Sequence, residues 1–266
     1  MLVANAESAS GVVAAVRDPV RIVPLHLPED LLRPVEGAGP TSPAKLTYRG
    51  GPLLTAVKVF TVYWGTAWSS PPLADLAGKL DQFFDFVLSS ELMDQMAEYG
   101  VPGKSIGHGN HIGRAVVTKP TLKHVVSDAA IQHMLQQEVG ANSGFPKPDG
   151  NTLFFVYLPP GTAVVQGGAR SCQAFCGYHS DIAGQLFYAA MPYPGCTGCT
   201  GSLAPFDALT STSSHELCEA VTDPVPGQGW YDDANGEIGD ICAWKTRKLG
   251  AYTVQLEWSN SANSCR

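Results

Sequence analysis

The chain has 266 residues, of which 44% are hydrophobic and 15% are charged. This composition excludes disorder over most of the length, and a net charge of −7 without a cluster of Lys and Arg argues against nucleic acid or an anionic membrane as a partner. No apolar run approaches the roughly 18 residues that span a bilayer, so we expect no membrane span. No feature of the sequence indicates an oligomeric state.

Apolar patterning predicts one folded domain behind an extended arm. Residues 1–45 carry short apolar pieces separated by prolines and predict the arm, whose first residues show no intact secretory signal. From residue 46 onward, β-branched and aromatic runs predict strands at 55–64, 112–118, 151–158, 184–193 and 251–258. Amphipathic or capped stretches predict helices at 73–88, 90–99, 127–140 and 207–221. The alternation predicts a single α/β or α+β domain, residues 46–266, around a mixed sheet.

All seven cysteines lie in the last 100 residues, at positions 172, 176, 196, 199, 218, 242 and 265. The first four form two close pairs, which suit either disulfides in an oxidising compartment or thiolate ligands to a metal. Gly, Pro and Thr around Cys196 and Cys199 favour disulfides in an extracellular protein. Many pairings are compatible with this number of cysteines, so the connectivity stays open.

The stretch STSSHELCEAVTDP, residues 211–224, carries the strongest chemical signal. On a helix, positions i and i+4 share a face, so His215 and Glu219 can offer an imidazole nitrogen and a carboxylate oxygen to one metal ion. Glu216 would then lie beside the ion, where a general base is needed to activate water. A partly exposed helix with solvated glutamates is the plainer alternative. Asp223 before Pro224 predicts the end of the helix.

An acidic loop, GWYDDANGEIGDICAW at 229–244, can supply a third ligand. Glu237 and Asp240 lie 22 and 25 residues after His215, the span over which metallopeptidases with an HExxH helix recruit an acidic ligand. In an extended segment the two side chains face opposite sides, whereas on a helical turn they share one. We favour Asp240 as the ligand and keep Glu237 as the alternative.

Three further side chains are candidates for contact with a substrate or ion. His179 follows the first cysteine pair and is a candidate substrate contact or additional ligand, although a packed His is the more common case. Trp230 is a candidate substrate contact, and the Tyr231 hydroxyl is a candidate catalytic group that stabilises an oxyanion. Aromatic packing beneath the acidic loop is the simpler account of both. The predicted strand 184–193 would pair with an extended peptide substrate if it lay at the sheet edge, but its apolar residues also suit an interior strand.

Six motifs occur in an order that resembles the Exordium, or phosphate-induced, protein family: SCQAFCGYHS (171–180), FYAAMPYPGCTGC (187–199), HELCEAVTDP (215–224), GWYDD (229–233), NGEIGDIC (235–242) and LEWSNSANSC (256–265). The resemblance is strongest over residues 150–266 and extends to GGPLLTAVKVFTVYWG (50–65). It implies a secreted or cell-wall-associated protein, a bacterial relative with a zincin-like domain. It also implies that His215, Glu216, Glu219, Glu237 and Asp240 form one cluster.

The helix is also similar to that of thermolysin-type enzymes, except that Glu219 stands where those enzymes have a second His. A carboxylate in that place makes the site less positive, so a bound water is acidified less and harder ions become more favourable. Zn²⁺ is therefore the first expectation, with Mn²⁺ or Ca²⁺ as alternatives.

Two functions follow from these residues. The first is a secreted, zinc-dependent, peptidase-like hydrolase that acts on a peptide or protein substrate. The second is a non-catalytic extracellular or cell-wall binding module that the same metal stabilises. A metal-free structural domain is the third possibility, which predicts no bound transition metal.

Overall fold

The computed structural model describes Val23–Pro24, residues 43–141 and residues 144–266. Its strands are β1 (Val23–Pro24), β2 (Thr47–Tyr48), β3 (Lys58–Trp64), β4 (Asn110–Val117), β5 (Val125–Ser127), β6 (Thr152–Tyr157), β7 (Ala163–Gln166), β8 (Ala169–Arg170), β9 (Phe175–Ile182), β10 (Leu186–Met191), β11 (Trp230–Tyr231), β12 (Thr246–Leu249), β13 (Tyr252–Gln255), β14 (Trp258–Ser259) and β15 (Ser264–Cys265). Its α-helices are α1 (Leu73–Val87), α2 (Glu91–Met96), α3 (Asp128–Gly140), α4 (Thr197–Thr200) and α5 (Pro205–Thr222). Short 3₁₀ turns cover Thr66–Ser69, Ala97–Tyr99 and Asp240–Cys242.

A mixed six-stranded sheet forms the centre of the described part of the chain, in the order β1-β9-β10-β6-β3-β4. Strands β10, β6, β3 and β4 run parallel, whereas β9 is antiparallel to β10 and β1 is antiparallel to β9. Every residue of β6 is buried, which is typical of a parallel strand covered on both faces. The fold is therefore α+β, as the sequence predicts.

Helices cover both faces of this sheet. On one face, α1, α2 and α5 pack on a large core that includes Val59, Tyr63 and Phe155. On the other face, α3 packs on a second core that includes Phe60 and Phe154. Adjacent strand residues enter different cores because successive side chains of a strand point to opposite faces.

The predicted elements coincide with observed ones, with shifts of a few residues at their ends. Ser127 caps α3 by accepting a hydrogen bond from the backbone N–H of Ala130, and α5 ends at Thr222, directly before Asp223. The predicted strand 184–193 contains β10, which lies between β9 and β6. The alternative of a substrate-pairing edge at β10 is therefore wrong, because both edges of that strand are already paired.

Three disulfides fix the C-terminal half. Cys172 joins Cys196, Cys176 joins Cys199, and Cys242 joins Cys265. The first two tie the start of β9 to α4, and the third ties the 3₁₀ turn at Asp240–Cys242 to β15. Cys218 is a free thiol, buried inside α5. Six of the seven cysteines thus form disulfides, as the loop composition favours.

The predicted arm, residues 1–45, lies mostly outside the described residues. Val23–Pro24 adds β1 to the sheet, with Val23 opposite Gly177 and Pro24 opposite Phe175. Val23 is buried against Cys176 and Cys199. Among the helices that the structure describes, none has the length and apolar character to cross a bilayer.

Candidate metal centre

Helix α5 carries the HExxE motif through the interior of the protein. Residues 208–222 are all buried, although many of them are polar. Hydroxyl groups make this possible by bonding to backbone: Ser214 Oγ donates to the Ser211 carbonyl at 2.8 Å and accepts the Gln255 N–H at 2.9 Å, and Thr222 Oγ1 donates to the Cys218 carbonyl at 2.8 Å. The expectation of a half-exposed helix with solvated glutamates is thereby wrong, because Glu216 and Glu219 are 0% and 2% exposed.

Three side chains come together at the acidic turn: His215, Glu219 and Asp240. Their ligand atoms all lie within 4.8 Å of one another. His215 Nε2 stands 2.9 Å from Glu219 Oε1 but makes no hydrogen bond of acceptable geometry. Glu219 Oε1 also accepts the backbone N–H of Asp240 at 3.2 Å, which fixes the acidic turn beside the helix. An imidazole nitrogen and two carboxylates in this arrangement form a donor set that suits Zn²⁺.

A 3₁₀ turn decides between the two acidic candidates. Asp240 begins the turn and its Oδ2 accepts the backbone N–H of Glu237 at 3.1 Å; the Glu237 side chain is fully buried and that of Asp240 is half-buried. Asp240 joins His215 and Glu219, whereas Glu237 Oε1 lies 3.5 Å from His179 Nε2. The geometry therefore favours Asp240 as a ligand of the first group and places Glu237 beside the neighbouring imidazole.

His179 stands in β9, on the other side of the motif. Its Nε2 lies 3.1 Å from the carbonyl oxygen of Asp223, and its Nδ1 lies 3.2 Å from Glu216 Oε2. Nδ1 also lies 3.5 Å from Glu219 Oε2. Three donors, from His179, Glu216 and Glu219, again lie within 4.8 Å of one another. Glu219 is thus common to two adjacent groups.

Burial and mutual charge perturb the pKa values of these groups. Burial lowers the pKa of His215, but the carboxylates of Glu219, Glu216 and Glu257 together outweigh it and raise that pKa well above its usual value. Burial would raise the pKa of Glu219, but the neighbouring imidazoles lower it to about 2. Burial raises the pKa of Glu216 and, more strongly, that of Glu237. The pKa of His179 is likewise raised well above its usual value, because the carboxyl groups of Glu237, Glu216 and Glu219 outweigh the effect of burial.

Several buried polar atoms find no hydrogen-bond partner in the described structure: Nδ1 of His215, Oε1 of Glu216, both carboxylate oxygens of Glu237 and both of Glu257. Such atoms are rare in folded proteins because each one loses hydration without compensation. Their concentration around one helix fits a site for a cation, and the residues present are the types that bind one.

Glu257 belongs to this cluster although its sequence position gave no reason to select it. It is fully buried, and burial raises the pKa of its carboxyl well above the usual value, an effect that His215 opposes. Its only sequence signal is a charged residue between Leu256 and Trp258, at the end of an apolar strand. Its backbone pairs with that of Arg266, and the next residue, Trp258, donates its N–H to the carbonyl of Ile238 in the acidic loop.

Two predicted residues lie in packed surroundings. The Trp230 ring packs against Tyr48 in a tilted arrangement and against Tyr99 edge-to-face, and its Nε1 donates to the Tyr99 carbonyl at 2.7 Å. Tyr231 is buried in β11 with the Arg49 guanidinium 4.3 Å above its ring. Their surroundings support the packing alternative, and a direct role in catalysis or substrate contact stays a prediction for both.

Comparison with known proteins gives little further information. The chain matches no known protein-family profile, and no curated protein matches it, so the resemblance to the Exordium family stays a prediction. Among solved structures, one match is described as the structure of a chaperone-substrate complex. It is 16% identical, with a TM-score of 0.37, and the alignment covers 70% of this chain but only 28% of that one.

Proposed function

We propose that this protein is a divalent-cation-dependent hydrolase of the peptidase type, with zinc as the first candidate. The observation that carries the proposal is the convergence of His215, Glu219 and Asp240 within 4.8 Å, next to the Glu216 carboxylate in the same buried cluster. A bound cation would supply Lewis-acid polarisation of a substrate carbonyl. The three disulfides support a location outside the reducing cytosol.

The chain's own groups provide a route for a proton. Glu216 Oε1 has no hydrogen-bond partner, while Oε2 faces the His179 Nδ1 at 3.2 Å. Oε1 of Glu216 is therefore the oxygen free to accept a proton from the attacking water, while the contact of Oε2 with His179 holds the carboxyl group in place. The Asp223 carbonyl, 3.1 Å from His179 Nε2, holds the imidazole in this orientation. Burial raises the pKa of Glu216 and the His179 contact opposes that effect only in part, so the pKa of this carboxyl moves toward the range of a general base.

A second function has an observation of its own in its favour. His215 and Glu216 are fully buried and Glu219 is 2% exposed, whereas catalytic metal sites keep one coordination position open. Closure of this kind supports a module in which the metal stabilises a surface that binds an extracellular or cell-wall partner. In that case Glu216 has no chemical role.

A Glu216→Gln variant separates the two functions. The metal content of the purified variant and of the wild type is measured by elemental analysis, and hydrolysis is measured with labelled casein and a library of quenched peptides. The hydrolase predicts unchanged metal content and a loss of activity of about 100-fold or more, the usual contribution of a general base. The exposed Glu91→Gln makes the same change outside the site and should alter neither quantity.

Wild-type protein that holds one cation but hydrolyses no substrate, or a Glu216→Gln variant with wild-type rates, would overturn the hydrolase in favour of the binding module. Protein without a bound cation at micromolar zinc would overturn both.

A further inference from the structure

His179 has the hydrogen-bonding pattern of a metal ligand. A carbonyl oxygen only accepts, so the 3.1 Å contact with Asp223 places a hydrogen on Nε2. The other nitrogen, Nδ1, then faces Glu216 Oε2 at 3.2 Å and Glu219 Oε2 at 3.5 Å. Histidines that bind metals usually donate their second N–H to a carbonyl or carboxylate in this way. A neutral Nδ1 lone pair pointed at two carboxylates requires a cation or a proton between them.

Glu219 presents one oxygen to each imidazole. Its Oε1 lies 2.9 Å from His215 Nε2, while its Oε2 lies 3.5 Å from His179 Nδ1. A carboxylate that faces two groups through its two oxygens is the bridging ligand typical of paired metal sites. The two groups of donors thus share one side chain and are otherwise separate.

The cluster holds more carboxyl groups than the first cation position uses. Glu216, Glu219, Glu237 and Glu257 are each no more than 2% exposed, and two histidines are the only buried basic side chains among the residues that define this cluster. One dication held by His215, Glu219 and Asp240 leaves Glu216, Glu237 and Glu257 without a cation of their own. Buried charges without partners are costly, so a second cation has a clear electrostatic basis.

We propose that His179, Glu216 and Glu219 form a second divalent-cation position that adjoins the first through the Glu219 carboxylate. Filling it places a cation on the Glu216 carboxyl group, which the hydrolytic route needs as its base. The second cation therefore inhibits the protein at concentrations above those that fill the first position. The position itself does not depend on the proposed hydrolase, whereas its inhibitory effect rests on that function.

Native mass spectrometry during a Zn²⁺ titration tests the position without reference to activity. Wild-type protein should bind two ions in succession, the second at least tenfold more weakly. His179→Gln should bind one ion, and Glu219→Gln should bind neither tightly, because it removes the shared ligand. The matched control is His108→Gln, an exposed imidazole paired with Asp94 outside the site, which should still bind two.

The outcomes separate this inference from the proposed function. If the wild type binds one ion and His215→Gln binds none, the second position is overturned and the proposed hydrolase still stands. Two ions bound by folded His179→Gln would have the same consequence. If His179→Gln does not fold, the wild-type stoichiometry decides alone. In activity assays, the inhibitory role predicts that the wild-type rate rises and then falls as Zn²⁺ is added. In folded His179→Gln the rate should only rise. A wild-type rate that stays at its plateau while the second ion binds contradicts it.

Discussion

Replacing Gly239 with Ala places one methyl group against the metal centre. A Cβ at this position would lie 2.8 Å from His215 Nδ1 and 2.9 Å from Glu219 Oε1. The backbone of Gly239 has φ −78° and ψ −39°, an α-helical conformation open to any residue, so the substitution adds no backbone strain. The loop cannot easily retreat, because the Gly239 carbonyl accepts a hydrogen bond from Gln255 Nε2 at 2.9 Å.

The magnitude follows from these contacts. Carbon atoms normally approach to about 3.5 Å, so the His215 ring and the Glu219 carboxylate must each move by roughly half an ångström. Overpacking of a buried site costs about 1–3 kcal/mol. If that cost falls on the ligand geometry, cation affinity drops by about 5- to 150-fold.

Competition with a chromophoric zinc chelator measures this affinity, and urea unfolding of the metal-free protein shows how much of the cost falls on folding. The control is Gly78→Ala in α1, where a Cβ meets nothing within 4 Å. It should bind zinc as the wild type does and gain about 0.5–1 kcal/mol of stability. Wild-type zinc affinity in Gly239→Ala would refute the proposed placement of the cation between His215 and Glu219.

Three more substitutions test other parts of the structure. Asp207 accepts hydrogen bonds from Thr253 and Lys248, which lower the pKa of its carboxyl group. These contacts therefore stabilise the folded protein at a pH above the pKa of Asp207 in the unfolded chain. The stabilisation is lost as the pH falls through the pKa of Asp207 in the folded protein. In urea unfolding at a series of pH values, Asp207→Asn should lose about 1 kcal/mol at pH 7 and differ less from the wild type near pH 3; an equal loss at both would contradict this. Val23→Asp places a charge at a buried position of β1 and should speed amide hydrogen exchange in the facing part of β9 without unfolding the sheet. Unchanged exchange would show that pairing with β1 does not protect β9. Cys218→Ala should keep the zinc content of the wild type, because the buried thiol belongs to neither donor group; loss of zinc from a folded variant would assign it a role.

The sequence predicts those parts of the structure that depend on local patterning. Helix α5 is predicted within two residues at each end: Pro224 indicates where it stops, and the i, i+4 spacing alone brings His215 to Glu219. The strand within 151–158 is equally clear, since a short apolar run stopped by two prolines leaves few alternatives.

Other features depend on contacts between distant segments. Strand β9 has the sequence FCGYHSDI, without polar alternation, and its place in the sheet is set by pairing with β10 and by two disulfides. His179 reaches Glu216 only through that pairing and through the carbonyl at the end of α5. The choice between Asp240 and Glu237 depends on a three-residue turn, which periodicity does not determine. Glu257 approaches the cluster through the C-terminal pairing, a contact with no local signal.

Anomalous diffraction at the zinc absorption edge, from crystals grown with Zn²⁺, tests the central claim most directly. The proposed centre requires a peak about 2.0–2.2 Å from His215 Nε2 and from carboxylate oxygens of Glu219 and Asp240. Zinc bound only at the protein surface, or a peak in this cluster without His215 among its ligands, would contradict it.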